Sequence, residues 1–139
     1  MFLGEHRYTL DDKGRVTLPS SFRGDLRDGC VITRGRDGNL WLFPMDIWND
    51  KVLAGFGGMS TVDATVRNAR RFFLATASEE KPDGSHRIRI PQALRDFAGI
   101  DKDVVFSGDV DRAEIWSAEA WERAQPAFQD ALADVAMPI

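Results

Sequence analysis

The chain has 139 residues, 43% of them hydrophobic and 29% charged, with a formal net charge of −4. That suits one compact domain or two small halves sharing a core, and no apolar run nears the roughly 20 residues of a membrane helix. The single cysteine, Cys30, excludes an intrachain disulfide, and the opening MFLGEHRYTL lacks the basic and long apolar segments of a secretion signal, so a cytoplasmic location is expected.

The charge is unevenly placed. Residues 109–139 carry seven acids and two bases, a balance of −5, which leaves +1 for the first 108 residues. The acidic end reads as a solvated helix face, so the total does not exclude an anionic partner elsewhere on the surface.

In chain order, the first informative stretch is LDDKGRVTLPSSFR at 10–23. A three-residue loop, Asp12-Lys13-Gly14, puts Gly14 where a positive φ is needed. RVTLP alternates as a strand, with Val16 and Leu18 on one face and Arg15 and Thr17 on the other. Pro19 ends the strand and suits the first turn of a short helix over about 20–26. CVITR is the next strand, with Cys30 as a small strand residue, and the turn RGRDGN leads into LWLF. Pro44 opens a helix of about ten residues with Met45, Trp48 and Val52 on one stripe. GFGGMS at 55–60 reads as a flexible break. Ser60 and Asp63 form a capping box for a helix over about 61–73, whose buried stripe is Val62, Val66 and Ala69. The chain then runs through PDGSHRIRIP into a helix over about 92–98, the strand DVVFSG, the turn GDVDRA and the strand EIW. Ser117 is a good cap for the following helix, and Pro126 should stop or restart it before a tail with Phe128, Leu132 and Val135 on one side. Trp41, Phe43, Trp48, Trp116 and Trp121 are mainly core candidates, with a minority expected at subunit contacts.

The second half repeats the first. PDGSHRIRIPQALR at 82–95 matches LDDKGRVTLPSSFR at an offset of 72, aligning Val16 with Ile88, Leu18 with Ile90, Pro19 with Pro91, Phe22 with Leu94 and Arg23 with Arg95. After one added residue the offset is 73, and Leu42 aligns with Ile115, Phe43 with Trp116, Asp46 with Glu119 and Trp48 with Trp121. A long unit that occurs twice is a duplicated half-domain rather than a solenoid. The expected division is a first half at 1–54, a helical spacer at 55–72 and a second half with a C-terminal helix at 73–139.

Each copy carries an Asp and an Arg four residues apart around a tight turn. Facing one another they contribute roughly 0.2–1 kcal/mol, and the carboxylate can also accept turn N–H groups. The second copy keeps the pair as Asp83 and Arg87 but has His86 where the first has Gly14; His is among the non-glycine residues enriched at positive φ. One such pair is most simply a salt-bridged turn. Two, each followed by the same strand, proline and helix, point further, because both turns display cations: Lys13 and Arg15 in one, Arg87 and Arg89 in the other, with His86 beside them when protonated. Arginine and lysine position a protein on phosphates and fork onto guanine, and a two-stranded ribbon fits a major groove. The pair of turns makes sense as a pseudo-twofold reader of double-stranded DNA.

RIRIPQALRDFAGIDKDVVF resembles the hairpin, proline and helix of AbrB/SpoVT-type swapped-hairpin transcription factors. Two such units, with MFLGEHRYTLDDKGRVTLP at the start and EIWSAEAW near the end, resemble the MraZ family over nearly the whole chain. The resemblance implies an α+β fold: a pseudo-twofold swapped-hairpin β-barrel of two AbrB-like halves with peripheral helices. It implies a cytoplasmic, nucleoid-associated, ring-shaped homo-oligomer. It also implies binding to promoter direct repeats that represses the division-and-cell-wall operon and its own gene. The family motif falls on Asp11 with Arg15 and on Asp83 with Arg87, the aspartates shaping the turns. Lys13 and Gly14 match the first DNA-contacting loop; Ser85 and His86 occupy the second, where His86 departs from the family's usual glycine. No cofactor, metal or small-molecule substrate is implied. The folding logic is physical: a lone hairpin is marginal and leaves edges open, and interleaving two closes them.

Three rival readings remain. An enzyme would have to use His6, His86, Cys30 and carboxylates, yet no metal-ligand spacing or phosphate loop is present, and Asp83, Ser85 and His86 share one tight turn where they cannot take triad roles. An assembly or protein-interaction module that ignores DNA would suit the acidic end. An antitoxin-type regulator of the same superfamily would ordinarily carry one hairpin copy and a toxin-binding tail.

Overall fold

Alternation in RVT and RIR decides how the two copies meet. In the computed structural model, which describes residues 1–139, β2 (Arg15–Thr17) pairs antiparallel with β6 (Arg87–Arg89), setting Arg15 opposite Arg89, Val16 opposite Ile88 and Thr17 opposite Arg87. Val16 and Ile88 are equivalent in the repeat, so a pseudo-twofold axis passes between them. The flanking bonds obey the same symmetry: Leu18 N–H donates to His86 O at 2.9 Å and Ile90 N–H to Gly14 O at 2.9 Å.

The other strands form one six-stranded antiparallel sheet: β1 (Glu5–Thr9), β3 (Cys30–Arg34), β4 (Leu40–Pro44), β5 (Ser78–Glu80), β7 (Asp103–Asp109) and β8 (Arg112–Ser117), in the order β1-β7-β8-β4-β3-β5. That order reads the same from either end once equivalent strands are exchanged. The first strand of each copy pairs with a strand of the other, β1 with β7 and β5 with β3. At the sheet centre Trp41 of β4 sits opposite its equivalent, Glu114 of β8. The fold is mixed α+β. The ladders close into two separate sheets, of six and two strands, and no single hydrogen-bonded barrel joins them.

Burial follows the pattern. Val16, Leu18, Phe22, Leu40 and Leu42 and their equivalents Ile88, Ile90, Leu94, Ala113 and Ile115 lie in one cluster of 19 buried residues. Each fully buried large aliphatic side chain adds roughly 1.5–3 kcal/mol, so neither half keeps this core without the other. The sheet's opposite face carries two smaller clusters, Val31–Phe43–Trp48 and Val105–Trp116–Trp121. Of the five aromatic core candidates, only Trp41 stays half-buried, stacked on Phe73 at 5.5 Å.

The helices depart from expectation in three places. The run after Pro44 goes through α2 (Met45–Ile47), a π-helical stretch at Trp48–Leu53 and α3 (Ala54–Gly57), so it continues into GFGG instead of breaking there. Helix α4 (Ala64–Leu74) starts later than expected: Asp63 is its cap, accepting Thr65 N–H at 2.8 Å, while the Ser60 hydroxyl accepts the N–H groups of Val62 and Asp63 in the preceding turn. Val62 therefore lies outside the helix and is exposed, as is Ala69; Val66, Phe72, Phe73 and Leu74 do the packing. Finally, α6 (Ala118–Asp130), capped by the Ser117 hydroxyl, runs straight through Pro126. On an exposed helix the lost N–H bond leaves a carbonyl that water can satisfy, and a 3₁₀ turn at Ala131–Ala133 follows. No helix is long and apolar enough to cross a membrane.

Candidate nucleic-acid interface

The two turns are built alike. The Asp11 N–H donates to Arg15 O at 2.8 Å and Gly14 N–H returns to Asp11 O at 3.0 Å; the second turn repeats this with Asp83 to Arg87 O and His86 to Asp83 O, both at 3.0 Å. One oxygen of each aspartate gathers two backbone N–H groups, Asp11 from Lys13 and Arg15 (2.9 Å each), Asp83 from Ser85 (2.9 Å) and Arg87 (3.0 Å). The other oxygen takes the arginine Nε, at 2.7 Å from Arg15 and 3.0 Å from Arg87. The N–H of Arg15 chiefly, then its guanidinium and the N–H of Lys13, hold the Asp11 carboxyl down to about 2 despite partial desolvation. Asp83 is lowered in the same direction, first by the N–H of Arg87.

Neither turn is the tip of a long hairpin. Beyond Asp11 the chain leaves for β7, and beyond Arg15 it joins β6, so the two-stranded ribbon is made between the copies and the turns flank its opposite ends. The ribbon's inner face is Val16 and Ile88; its outer face is Arg15, Thr17, Arg87 and Arg89. Arg87 Nη1 also reaches Asp11 at 3.8 Å, which runs a line of alternating charge, Arg15–Asp11–Arg87–Asp83, across the face. Arg15 and Arg87 are thus one-third exposed and held by Nε; neither Nη of Arg15 makes a hydrogen bond. Arg89 and Lys13 are exposed and have no carboxylate partner. An arginine with its Nε fixed and its terminal nitrogens open presents the fork that matches phosphate or the guanine edge.

Gly14, matched to a DNA-contacting loop, is itself buried. At φ 76° an added Cβ would lie 2.7 Å from the guanidinium carbon of Arg95, so the glycine shapes the turn and makes room for that arginine. Ser85 and His86 are exposed, and His86 adopts φ 60°, the left-handed conformation that its place in the repeat requires.

Residues 1–69 and 73–135 match the model of the family described as "MraZ protein, putative antitoxin-like". The chain belongs to the MraZ family. A Deinococcus radiodurans protein named transcriptional regulator MraZ is 43% identical over 129 residues, covering 93% of this chain and 90% of the relative. The relative of the same name from Natranaerobius thermophilus is 41% identical over 140 residues, covering 100% and 96%. That from Thermus thermophilus is 43% identical over 126 residues, covering 89% and 87%.

Within this MraZ-family chain the structure adds two cations that the sequence reading passed over. Arg23 and Arg95, each on the helix that follows a ribbon strand, donate Nε to Leu18 O (3.0 Å) and Ile90 O (2.9 Å) and have no acidic partner. Their equivalence in the repeat was visible, and its persistence in a loosely matched helix was the available signal. With the helices that carry them, the turns and ribbon hold six cations (Lys13, Arg15, Arg23, Arg87, Arg89, Arg95) against five carboxylates (Asp11, Asp12, Asp25, Asp83, Asp96), a local surplus of one on an acidic protein.

Three of the residues that an enzyme would use are otherwise engaged. Cys30 is buried, its thiol pushed up to about 12 by burial and Glu80, and it faces Glu80 O at 3.4 Å. His6 Nε2 lies 3.0 Å from Leu3 O, and the ring stands edge-on to Phe22. Asp83 spends both oxygens on its own turn.

Proposed function

We propose that this chain is a sequence-specific, DNA-binding transcriptional regulator and not an enzyme. It reads double-stranded DNA with the β2–β6 ribbon and the turns at its ends. The observation that carries the reading is the ribbon's outer face. Pairing equivalent strands sets Arg15 directly opposite Arg89, a like-charge juxtaposition that disfavours folding and is repaid when an anion lies between them. Arg15, Arg87 and Arg89 would read bases or phosphates, Lys13, Ser85 and His86 would contact the backbone at the rims, and Asp11, Gly14 and Asp83 would set the geometry.

The pairing of each copy's first strand with a strand of the other supports a pseudo-twofold swapped-hairpin barrel of two AbrB-like halves, 1–54 and 73–139, bridged by the 55–72 spacer. Family membership supports the remainder: a cytoplasmic, nucleoid-associated ring homo-oligomer on promoter direct repeats, repressing the division-and-cell-wall operon and its own gene. Regular repetition of one weak contact raises affinity through effective concentration.

The test is a mobility shift with the DNA upstream of the protein's own gene, across a salt series. Arg15→Ala should abolish retention at physiological salt while the oligomer keeps its size, and Arg89→Ala should weaken binding by about 1–3 kcal/mol with loss of base preference. Unchanged retention of Arg15→Ala would defeat the proposal.

A further inference from the structure

The turns and ribbon leave one concentrated group of cations unused. Arg67, Arg70 and Arg71 of α4 share one helix face with Leu74, at spacings of three and four residues, and line a shallow groove of about 380 Å³ with Thr61 and Ala75. None of the three lies within ion-pair distance of a carboxylate; the nearest acid in sequence, Asp63, is committed to the helix cap. Each guanidinium is instead fixed by neutral oxygens: Arg67 Nη1 on Val62 O at 2.6 Å and Thr61 O at 3.3 Å, Arg70 Nη1 on Phe56 O, Arg71 Nη1 on Asn68 Oδ1 at 3.0 Å. That orients the groups without neutralising them and leaves their other donors open. The order is already in place before any ligand arrives.

The helix is also fastened to the six-stranded sheet and to the helix that follows the second ribbon strand. The Arg34 guanidinium lies 4.9 Å from the Phe72 ring of α4 and 5.1 Å from the Phe97 ring of α5 (Gln92–Ala98), and those rings meet edge-on at 5.7 Å. Helix α5 is the element whose Arg95 covers the Asp11–Arg15 turn. Trp41 stacks on Phe73, and the Thr33 hydroxyl donates to Phe73 O. The second copy offers no equivalent helix, because α4 belongs to the spacer between them.

Resting on the reading above, we propose that the Arg67–Arg70–Arg71 face of α4 is a second nucleic-acid contact, one that binds the phosphodiester backbone of duplex DNA. Arg67 and Arg71 stand one turn apart, about 6 Å along the helix, so successive phosphates can each meet a separate guanidinium. The groove has no buried acceptor or aromatic slot aimed into it, so it grips charge and not bases. Its contribution is affinity without sequence preference.

The test compares the wild type, an Arg67→Gln/Arg70→Gln/Arg71→Gln triple variant and Arg89→Ala on the promoter duplex and on a scrambled duplex of equal length, across a salt series. The triple variant should bind both duplexes more weakly by the same factor, with the slope of log affinity against log salt reduced by about 2 to 3 and the promoter-to-scrambled ratio unchanged. Each single Gln variant should lower the slope by about 1. Arg89→Ala should lower the ratio. Weaker binding with an unchanged slope is the mark of damaged folding or assembly and overturns the proposal, as does a loss confined to the promoter duplex. A wild type that binds neither duplex fells the ribbon reading first and this one with it.

Discussion

The turn at Asp11–Arg15 and the turn at Asp83–Arg87 reach one backbone geometry from different residues. Both aspartates hold two N–H groups and an arginine Nε at distances that agree within a few tenths of an ångström. They differ at the left-handed position, where Gly14 lies covered by Arg95 and His86 stands exposed. A side chain is accommodated in the second turn because nothing covers it, and is excluded from the first because an arginine occupies the space. The hydrogen-bonding program of a D-x-x-x-R turn is therefore separable from its glycine. What the glycine adds in the first copy is a seat for a cation.

Three experiments sharpen this comparison. Gly14→Ala should have the largest effect: a Cβ at φ 76° that meets Arg95 costs about 1–2 kcal/mol of strain and displaces the arginine, measurable as a lowered denaturation midpoint together with weaker DNA retention. Acid titration should come next. The folded Asp11 carboxyl titrates at about 2, below its unfolded value near 3.9, so its stabilisation is complete above that value and drains away as pH falls through about 2. Asp11→Asn should flatten the acid-unfolding curve in that window, and Asp83→Asn should flatten it less. A curve unchanged by Asp11→Asn would show that the carboxylate does not stabilise the turn. His86→Gly should do least, shifting stability by under about 1 kcal/mol, since relief of left-handed strain is offset by the entropy of a freer unfolded chain. A large loss there would mean that the imidazole makes a contact the turn depends on.

Much of this was legible from the chain. The strand alternation in RVTLP and RIRIP predicted the burial of Val16, Leu18, Ile88 and Ile90, and the histidine at the glycine position of the repeat predicted a positive φ there, found at 60°. Helix details were less so. Gly55 and Gly57 remain helical because the preceding stripe, with Trp48 buried under Phe43, carries the helix past a local preference for breaking. Val62 misled because an apolar residue at helical spacing lay before the true cap. Arg23 and Arg95 were seen as matching residues but not as site residues, since nothing local says that a helix arginine folds back onto a strand carbonyl.

By itself the sequence determined the turns, the faces of the strands and the equivalence of the two copies, because each depends on residues within a few positions of one another. Only the tertiary structure decided that the ribbon forms between copies and not within one, that Arg15 comes to face Arg89, and that Phe72 of α4 meets Phe97 of α5. Those pairings join residues scores of positions apart, and which partner a strand edge takes is settled by the core it closes over, not by anything written in the strand.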